Sequence, residues 1–296
     1  MLDWHDVNSA HMETLLVLID VGSFEAAAAH LGISTSAVSQ RIKAMEKQAG
    51  RVLVQRTNPV GLTDAGEVII QAARRMALLR AEMDAQLGGK IDRVPLAVAV
   101  NADSLATWFR PVLWAAARWE NVALQLRLED EAHTLALLRR GDVLGAVTRE
   151  HAPVSGCEVE VLGSMRYLAV ATADLRSAYS TSEGVDWARM PALRFGPNDA
   201  LQDADLEGRL DPAVRPRRRV SHVPSSEAFV EATCAGLGWS LLPEQQAHPL
   251  LASGEVVRLD DHVVEVPLYW QRWRLESPTL DVLSAAVVGA AEQLER

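Results

Sequence analysis

Gly22-Ser-Phe-Glu-Ala-Ala-Ala-Ala-His-Leu-Gly-Ile-Ser-Thr-Ser-Ala-Val-Ser-Gln-Arg-Ile-Lys-Ala-Met-Glu46 decides the first part of the fold. Ser23 is a good N-cap, and Phe24, Ala27, Ala28 and Leu31 then fall on one helical face. Gly32 ends that helix and Ile33 sits in the turn. Ser34 caps the next helix, in which Val38, Ile42, Met45 and Ala49 recur at helical spacing as a core stripe. Thr35, Ser36, Ser39, Gln40 and Lys43 must therefore point elsewhere. Upstream, Met12 to Val21 carries Leu15, Leu16 and Ile19 at helical spacing and stops at Gly22. Helix, glycine turn and polar-faced helix make a helix-turn-helix arrangement.

Working outward, Val52-Leu53-Val54 and Gly61-Leu62-Thr63 flank Arg56-Thr57-Asn58-Pro59, as two short strands flank the loop of a wing. Thr63 and Asp64 can cap a long helix running to Gly88-Gly89. Its apolar positions Ile69, Ala72, Met76, Leu79 and Met83 form a heptad seam, which predicts pairing with a second chain; the alternative is a helix lying on its own domain. Beyond it the pattern alternates between strand and helix. Val94 to Val100 reads as a buried parallel strand, followed by a helix through Trp119. Ala123 to Glu129 is the next strand, a helix follows to Arg140, and Asp142 to Thr148 is strand again. Tyr167–Ala171, Arg219–Val223, Trp239–Leu242, Val256–Leu259 and Leu268–Leu275 are further strand candidates, and Pro278 to Leu294 is a closing helix. An α/β body of this kind suits two similar lobes with a cleft between them. The chain as a whole reads as a multidomain protein, α+β in its first part and α/β in its second.

Composition agrees. The chain has 296 residues, 49% hydrophobic and 23% charged, the balance of a soluble protein of about two domains. Its net charge of −10 argues against nucleic acid only when taken whole. Residues 1–90 hold 9 basic and 10 acidic side chains, and within 34–58 Arg41, Lys43, Lys47, Arg51 and Arg56 face Glu46 alone. A short basic patch on an acidic chain is what a small nucleic-acid module on a larger body shows. The N-terminal residues carry no signal pattern, no apolar run approaches a membrane span, and two cysteines are too few for a disulfide framework; the expected location is the cytoplasm.

The segment Gly22–Glu46, followed by Arg56 and Leu62-Thr-Asp-Ala-Gly66, resembles the DNA-binding signature of LysR-type transcriptional regulators. Val100–Trp108, Leu128–Glu131, Gly145–Thr148 and Leu268–Gln271 resemble the subgroup that senses basic amino acids, the LysG/ArgP regulators of lysine export. The resemblance implies a winged helix-turn-helix (1–62), a linker helix that pairs subunits (63–90), and a two-lobed effector domain like periplasmic binding proteins (91–296). Lobe I would comprise 91–163 and 268–296, and lobe II 164–267. It further implies a homotetramer built as a dimer of dimers, acting on promoter DNA and RNA polymerase, with lysine or arginine as effector and a basic amino-acid export gene as target.

A recognition helix places small donors and acceptors against base edges and cations against phosphates. Thr35, Ser36, Ser39 and Gln40 match base-reading or backbone-contacting positions, while Arg41, Lys43 and the wing's Arg56 and Asn58 would bond phosphates. Ser34 belongs to the same set, with capping as its first role. Ser36 stands where many relatives have proline, and Asn58 where they have a second basic residue. For the effector, Asp103-Ser104 lies at a strand-to-helix turn, and the Ser104 hydroxyl is the expected partner of an α-carboxylate, with Thr148 facing it. Glu129, Asp130 and Glu131 join Asp103 as four carboxylates near the cleft mouth, where they would pair a desolvated cation; a helix macrodipole also accounts for Asp130 and Glu131 without a ligand. From lobe II, Phe195, Gly196 and Ser225 fall in loops that face the cleft in relatives. Trp108 reads as core, and Arg215–Arg219 as a solvated run before a strand.

Other chemistry lacks its devices. The chain has no GxSxG, P-loop or GxGxxG and no histidine pair at metal-binding spacing, so neither an enzyme, a metal site nor a cofactor is expected. The alternatives to a basic-amino-acid-responsive activator are a cytoplasmic small-molecule binding protein and a redox-sensing regulator. Cys157 and Cys234 read as core thiols, with no cluster of basic residues beside them in the sequence.

Overall fold

The computed structural model describes residues 9–88, 94–120, 122–128, 131–182, 184–197, 199–207, 210 and 218–295. The first unit contains α1 (Ser9–Val21), α2 (Phe24–Leu31), α3 (Thr35–Ala49), a hairpin of β1 (Val54–Gln55) and β2 (Gly61–Leu62), and the start of α4 (Asp64–Gln86). The caps are local. The Ser23 and Ser34 side chains accept the N–H groups of Ala26 and Ala37, and Gly32 takes the left-handed conformation between the helices. Each such cap is worth about 1 kcal/mol. Leu15, Leu18, Ala27, Val38, Ile42, Met45, Leu53, Ile69 and Ile70 close one core beneath them.

Of the predicted seam on α4, Ile69 joins this core, whereas Ala72, Met76, Leu79 and Met83 are exposed together with Val68 and Leu87. The opposite side of α4 packs on the chain's own C-terminal unit through Leu78 and Ala81. Helix α4 therefore does both things its sequence allowed: it lies on its own body and leaves an apolar stripe outward. Polar joints fasten the buried side. Arg74 pairs with Asp20 of α1 at 2.9 Å and with Asp142 of the C-terminal unit at 2.6 Å, and the Arg75 guanidinium stacks 3.9 Å from the Trp273 ring centroid. Burial raises the Asp20 carboxyl above its ordinary range, opposed by Arg74.

The C-terminal unit runs β3 (Val94–Val100), α5 (Ala102–Ala106), α6 (Arg110–Ala116), β4 (Val122–Leu128), α7 (Glu131–Arg140), β5 (Gly145–Thr148), β6 (Cys157–Ala171) and α8 (Ala173–Ala178). It continues with β7 (Ser180–Thr181), β8 (Gly184–Val185), β9 (Ala192–Arg194), α9 (Leu201–Asp205), β10 (Val220–His222), α10 (Ser226–Cys234), β11 (Ser240–Pro243), α11 (Glu244–Ser253), β12 (Val257–Trp273) and α12 (Pro278–Ala290). A six-stranded sheet in the order β11-β6-β12-β5-β3-β4 passes through both lobes, and β9 and β10 form a separate parallel pair.

Three sequence expectations change here. The helix foreseen through Trp119 breaks at Thr107–Phe109 into α5 and α6, which puts Pro111 in a first helical turn, where its missing N–H has no consequence. The strand candidates Val256–Leu259 and Leu268–Leu275 fuse into the 17-residue β12, and Tyr167–Ala171 is the end of the 15-residue β6. The polar Asp260-Asp261-His262 and the glycine Gly163 hid this continuity, because each strand is completed by pairing with the other. Gly163 lies opposite Leu268, next to a register shift at Leu268/Tyr269. Finally, Arg218 is not solvated: its guanidinium is buried, 5.5 Å from the Trp239 ring centroid and 3.8 Å from Asp203. Arg215 and Arg217 lie outside the described residues.

Trp108, Trp239, Trp270 and Trp273 are fully buried and fill the main core. Gly145 is required there, since a Cβ at that position would stand 2.2 Å from Trp270.

Candidate DNA interface and interlobe cleft

Burying Val38, Ile42, Met45 and Ala49 turns the other side of α3 outward. Thr35, Ser36, Gln40 and Lys43 are exposed there, Ser39 is half-buried, and Ser34 is exposed at the helix start. The Ser34 and Ser36 hydroxyls lie 2.9 Å apart. Arg41 differs from the other expected phosphate ligands. It is half-buried and donates to Thr14 Oγ1 at 3.1 Å, bracing α3 against α1. In the wing, Arg56 and Asn58 are exposed, and the Arg56 guanidinium stands 5.5 Å from the Phe24 ring centroid. Glu46, the single acid of the basic patch, is absorbed structurally: its Oε1 accepts the N–H groups of Leu53 at 2.9 Å and Val54 at 3.4 Å. A charge count cannot show this. The carboxylate ties the wing to the end of α3, and the patch keeps its cations.

In the C-terminal unit, the parallel register sets Val98–Ala99 of β3 beside Gly145–Ala146 of β5, and Val100 beside Leu128 of β4. The carboxyl ends of three strands thus meet at one edge of lobe I. Asp103, Ser104 and Thr148 follow from those ends. Ser104 is fully buried and its Oγ has no hydrogen-bond partner within the protein. Its backbone N–H is not free for an anion, because Asn101 Oδ1 accepts it at 2.7 Å. The hydroxyl, and not the amide, is the open group. Thr148 is buried and its Oγ1 accepts the Glu150 N–H at 3.1 Å. Glu129 and Asp130 lie outside the described residues, and Glu131 opens α7.

From lobe II, Phe195-Gly196 follows β9 and Ser225 follows β10, both at carboxyl ends of that parallel pair. Phe195 and Gly196 are half-buried; Ser225 is exposed and caps α10. Helix α10 packs against α5, so the two lobes meet beside Asp103 and Ser104. Tyr167, which sequence reading passed over as a strand residue, reaches this edge from β6 and donates its hydroxyl to Asp103 Oδ2 at 3.0 Å. Only the sheet register reveals it. Asn101, by contrast, was legible as an N-cap three residues before Ser104.

Among the described residues the remaining titratable groups do not build a second centre. Burial pushes the Cys157 thiol up to about 12, outweighing Arg75 and Arg274. Burial, with Glu255 and Glu231, also raises Cys234. Among the described residues no group of three or more His, Cys, Asp and Glu could hold a metal ion, and no described helix is long and apolar enough to cross a membrane.

Comparison with known proteins bears on both regions. Residues 9–67 match the bacterial regulatory helix-turn-helix protein, lysR family, and residues 93–292 match the LysR substrate binding domain. The lysine export transcriptional regulatory protein LysG of Corynebacterium efficiens is 64% identical over 285 residues, covering 96% of this chain and 98% of that protein. The solved structure of full-length LysG from Corynebacterium glutamicum with bound effector Arg is 59% identical, with a TM-score of 0.85 over 98% of this chain and all of that one. ArgP from Mycobacterium tuberculosis is 40% identical, with a TM-score of 0.86 over 98% of this chain and 99% of that one. A winged helix-turn-helix, a long helix and a two-lobed unit thus recur in one order along full-length relatives, and the chain belongs to the LysR family of bacterial helix-turn-helix regulators.

Proposed function

We propose that the chain is a cytoplasmic transcriptional activator of a basic amino-acid export gene, switched by L-lysine or L-arginine bound between its lobes. The observation that carries this reading is the bound arginine of LysG from Corynebacterium glutamicum, a protein 59% identical to this chain over almost its whole length. The buried, unpartnered Ser104 hydroxyl beside the Asp103 carboxylate supports it, since an amino acid needs both a hydrogen-bond donor and an anion. Thr148, Phe195, Gly196 and Ser225 complete the lining.

The DNA-binding set is Ser34, Thr35, Ser36, Ser39, Gln40 and Lys43 on α3, with Arg41 bracing that helix and Arg56 and Asn58 on the wing. The exposed stripe Val68, Ala72, Met76, Leu79, Met83 and Leu87 is the surface by which two copies pair, and two such pairs make a tetramer on promoter DNA. The domains divide at 1–62, 63–90 and 91–296, and the lobes divide where β6 and β12 cross, near Gly163 and Leu268. Effector binding shifts the population toward one lobe arrangement. Because α4 is fastened to lobe I, that shift moves the DNA-binding pairs relative to one another and lets RNA polymerase engage.

The test is calorimetric titration of the full chain with lysine, arginine, histidine and glutamate, alongside fluorescence anisotropy on promoter DNA. Micromolar binding of lysine or arginine, with altered DNA binding, is the expected result. Silence toward both cations with DNA binding intact overturns the effector assignment.

A further inference from the structure

Helix α4 passes from one core to the other within a few turns. Ile69 and Ile70 belong to the first core, Leu78 and Ala81 to that of the body, and Arg74 stands at the changeover. One nitrogen of its guanidinium, Nη2, reaches Asp20 Oδ1 at 2.9 Å and Asp142 Oδ1 at 2.6 Å. Asp20 lies in the last turn of α1 and Asp142 just after the end of α7, so the cation joins the carboxyl ends of two helices, each the negative end of its dipole. The Asp142 side is itself well fixed. Its other oxygen takes Arg140 Nε at 2.7 Å, and its N–H bonds the Leu137 carbonyl at 2.8 Å. One turn earlier on α4, Gln71 donates to the Arg139 carbonyl oxygen. Gly141, at φ +71°, lets this corner close on α4, since a Cβ there would stand 3.3 Å from Arg74 Cδ and 3.6 Å from Gln71 Cα. Burial raises the Asp20 carboxyl, opposed by Arg74 and reinforced by the charge of Asp142, with Arg127 of β4 as a lesser cation. Two acids that repel each other are thus held together by one guanidinium.

Both ends of this joint lead somewhere. Helix α7 connects β4 to β5, which are both parallel to β3, so it starts at the carboxyl edge of the sheet, beside the cleft, and ends at the opposite edge, against α4. Its 10 residues cover about 15 Å. On the other side, Thr14 of α1 accepts from Arg41 of α3 at 3.1 Å, so a displacement of α1 displaces the recognition helix.

We propose that Arg74 is a positioning residue that sets the angle between the helix-turn-helix unit and lobe I, and that the Asp20–Arg74–Asp142 bridge carries the effector's signal from α7 to α1 and α3. Arg75, Leu78 and Glu82 lie further along α4 and fasten it to the body; Arg74 in addition holds α1. With the bridge made, α1, α4 and the end of α7 move as one piece. With it broken, lobe I can shift at the cleft while the first unit turns about α4, and the two sites lose part of their coupling. The inference rests on the effector-switched reading of the chain given above and names the side chain through which that switch acts.

The experiment measures the affinity of the full chain for promoter DNA by fluorescence anisotropy, with and without saturating L-arginine. The ratio of the two affinities is the coupling, which between linked sites is typically about 5–150-fold. It is compared for the native chain, Arg74→Gln, Asp142→Asn, their double variant and Asp20→Asn, with arginine binding to the DNA-free chain followed by calorimetry. Arg74→Gln and Asp142→Asn each bring the ratio at least halfway to one on a logarithmic scale, while arginine binding to the DNA-free chain stays as in the native protein. The double variant adds little to Arg74→Gln, because the two changes remove one contact. A merely structural role would weaken DNA binding alike with and without arginine and leave the ratio intact. An intact ratio overturns the proposal, as do additive effects of Arg74→Gln and Asp142→Asn. Should Arg74→Gln fail to fold, Asp20→Asn, at an exposed carboxylate, decides: it too lowers the ratio, and an unchanged ratio there overturns the proposal. A native chain that does not bind arginine, or binds it with no change in DNA affinity, overturns the effector-switched reading itself, and this inference with it.

Discussion

Glu82 joins the linker helix to the last helix of the body, and its removal gives a worked prediction. The residue is 7% exposed on α4, yet its Oε1 accepts the Ser277 hydroxyl at 2.5 Å and the Thr279 N–H at 3.2 Å. Ser277 in turn caps α12 by accepting the Leu280 N–H at 3.1 Å. Each bond to a charged acceptor contributes about 1.5–3 kcal/mol, and a carboxylate at a helix N-terminus adds about 0.3–1 kcal/mol. Two effects reduce the sum. Removing the carboxylate also removes its cost of burial, and an open depression lined by Glu82, Ala85, Gln86, Val94, Pro278 and Thr279 admits water to the freed groups. Glu82→Ala is therefore expected to cost about 2–3 kcal/mol, and Glu82→Gln, which keeps an acceptor oxygen, about 1 kcal/mol. The assay is urea unfolding at fixed protomer concentration, because association adds to apparent stability. It is run on Glu82→Ala, Ser277→Ala and the double variant. The cycle cancels the lost Leu280 cap and isolates the Glu82–Ser277 bond, whose coupling should reach about 1 kcal/mol. Additive losses, with a coupling under about 0.3 kcal/mol, would refute the view that this contact fastens the linker helix to the body.

Other expectations follow from single features. Leu79→Asp puts a charge into the exposed stripe of α4 and should move the chain to a smaller species in sedimentation while weakening DNA binding; an unchanged sedimentation coefficient contradicts pairing through that stripe. Arg56→Ala should lower the slope of log affinity against log salt by about 0.9, one phosphate contact, while Gln40→Ala relaxes base preference by about 1–3 kcal/mol at one position. Gly66→Ala should destabilise the first unit by at least about 1–3 kcal/mol in urea, since the new Cβ would stand 2.0 Å from the Leu53 carbonyl oxygen. Cys157, held up to about 12 by burial, should resist iodoacetamide at pH 8 until the protein is unfolded. Its unfolded thiol ionises first as pH rises, so its contribution to stability is complete below about pH 9 and is lost as pH climbs toward 12. Alkylation of native Cys157 at pH 8 would contradict the burial.

The sequence by itself determined whatever is encoded within a few residues. Ser23, Ser34 and Thr63 cap their helices by bonding N–H groups three residues on, and Gly32 makes its turn with its own backbone. The stripe Val38, Ile42, Met45 and Ala49 sets which face of α3 is buried, and therefore which polar side chains remain outside. The seam on α4 was readable as apolar periodicity, but a heptad does not say which of two apolar neighbours covers each turn. Ile69 was taken by the first core and the rest of the seam stayed exposed, while Leu78, on the opposite side of the helix, was taken by the body.

Tertiary structure alone decided the contacts that span long stretches of chain. Tyr167 meets Asp103 across 64 residues, and Ser277 meets Glu82 across 195. Arg74 bridges Asp20 and Asp142 only because α4 lies between α1 and the body. The two long strands β6 and β12 were read as fragments, since Gly163 and Asp260-Asp261-His262 interrupt the local pattern and each strand is completed only by the other. A periodic pattern states which face of an element is apolar; it carries no record of the partner. That partner is chosen by sheet register and packing, which is why the caps and helices were visible beforehand and the tyrosine at the cleft was not.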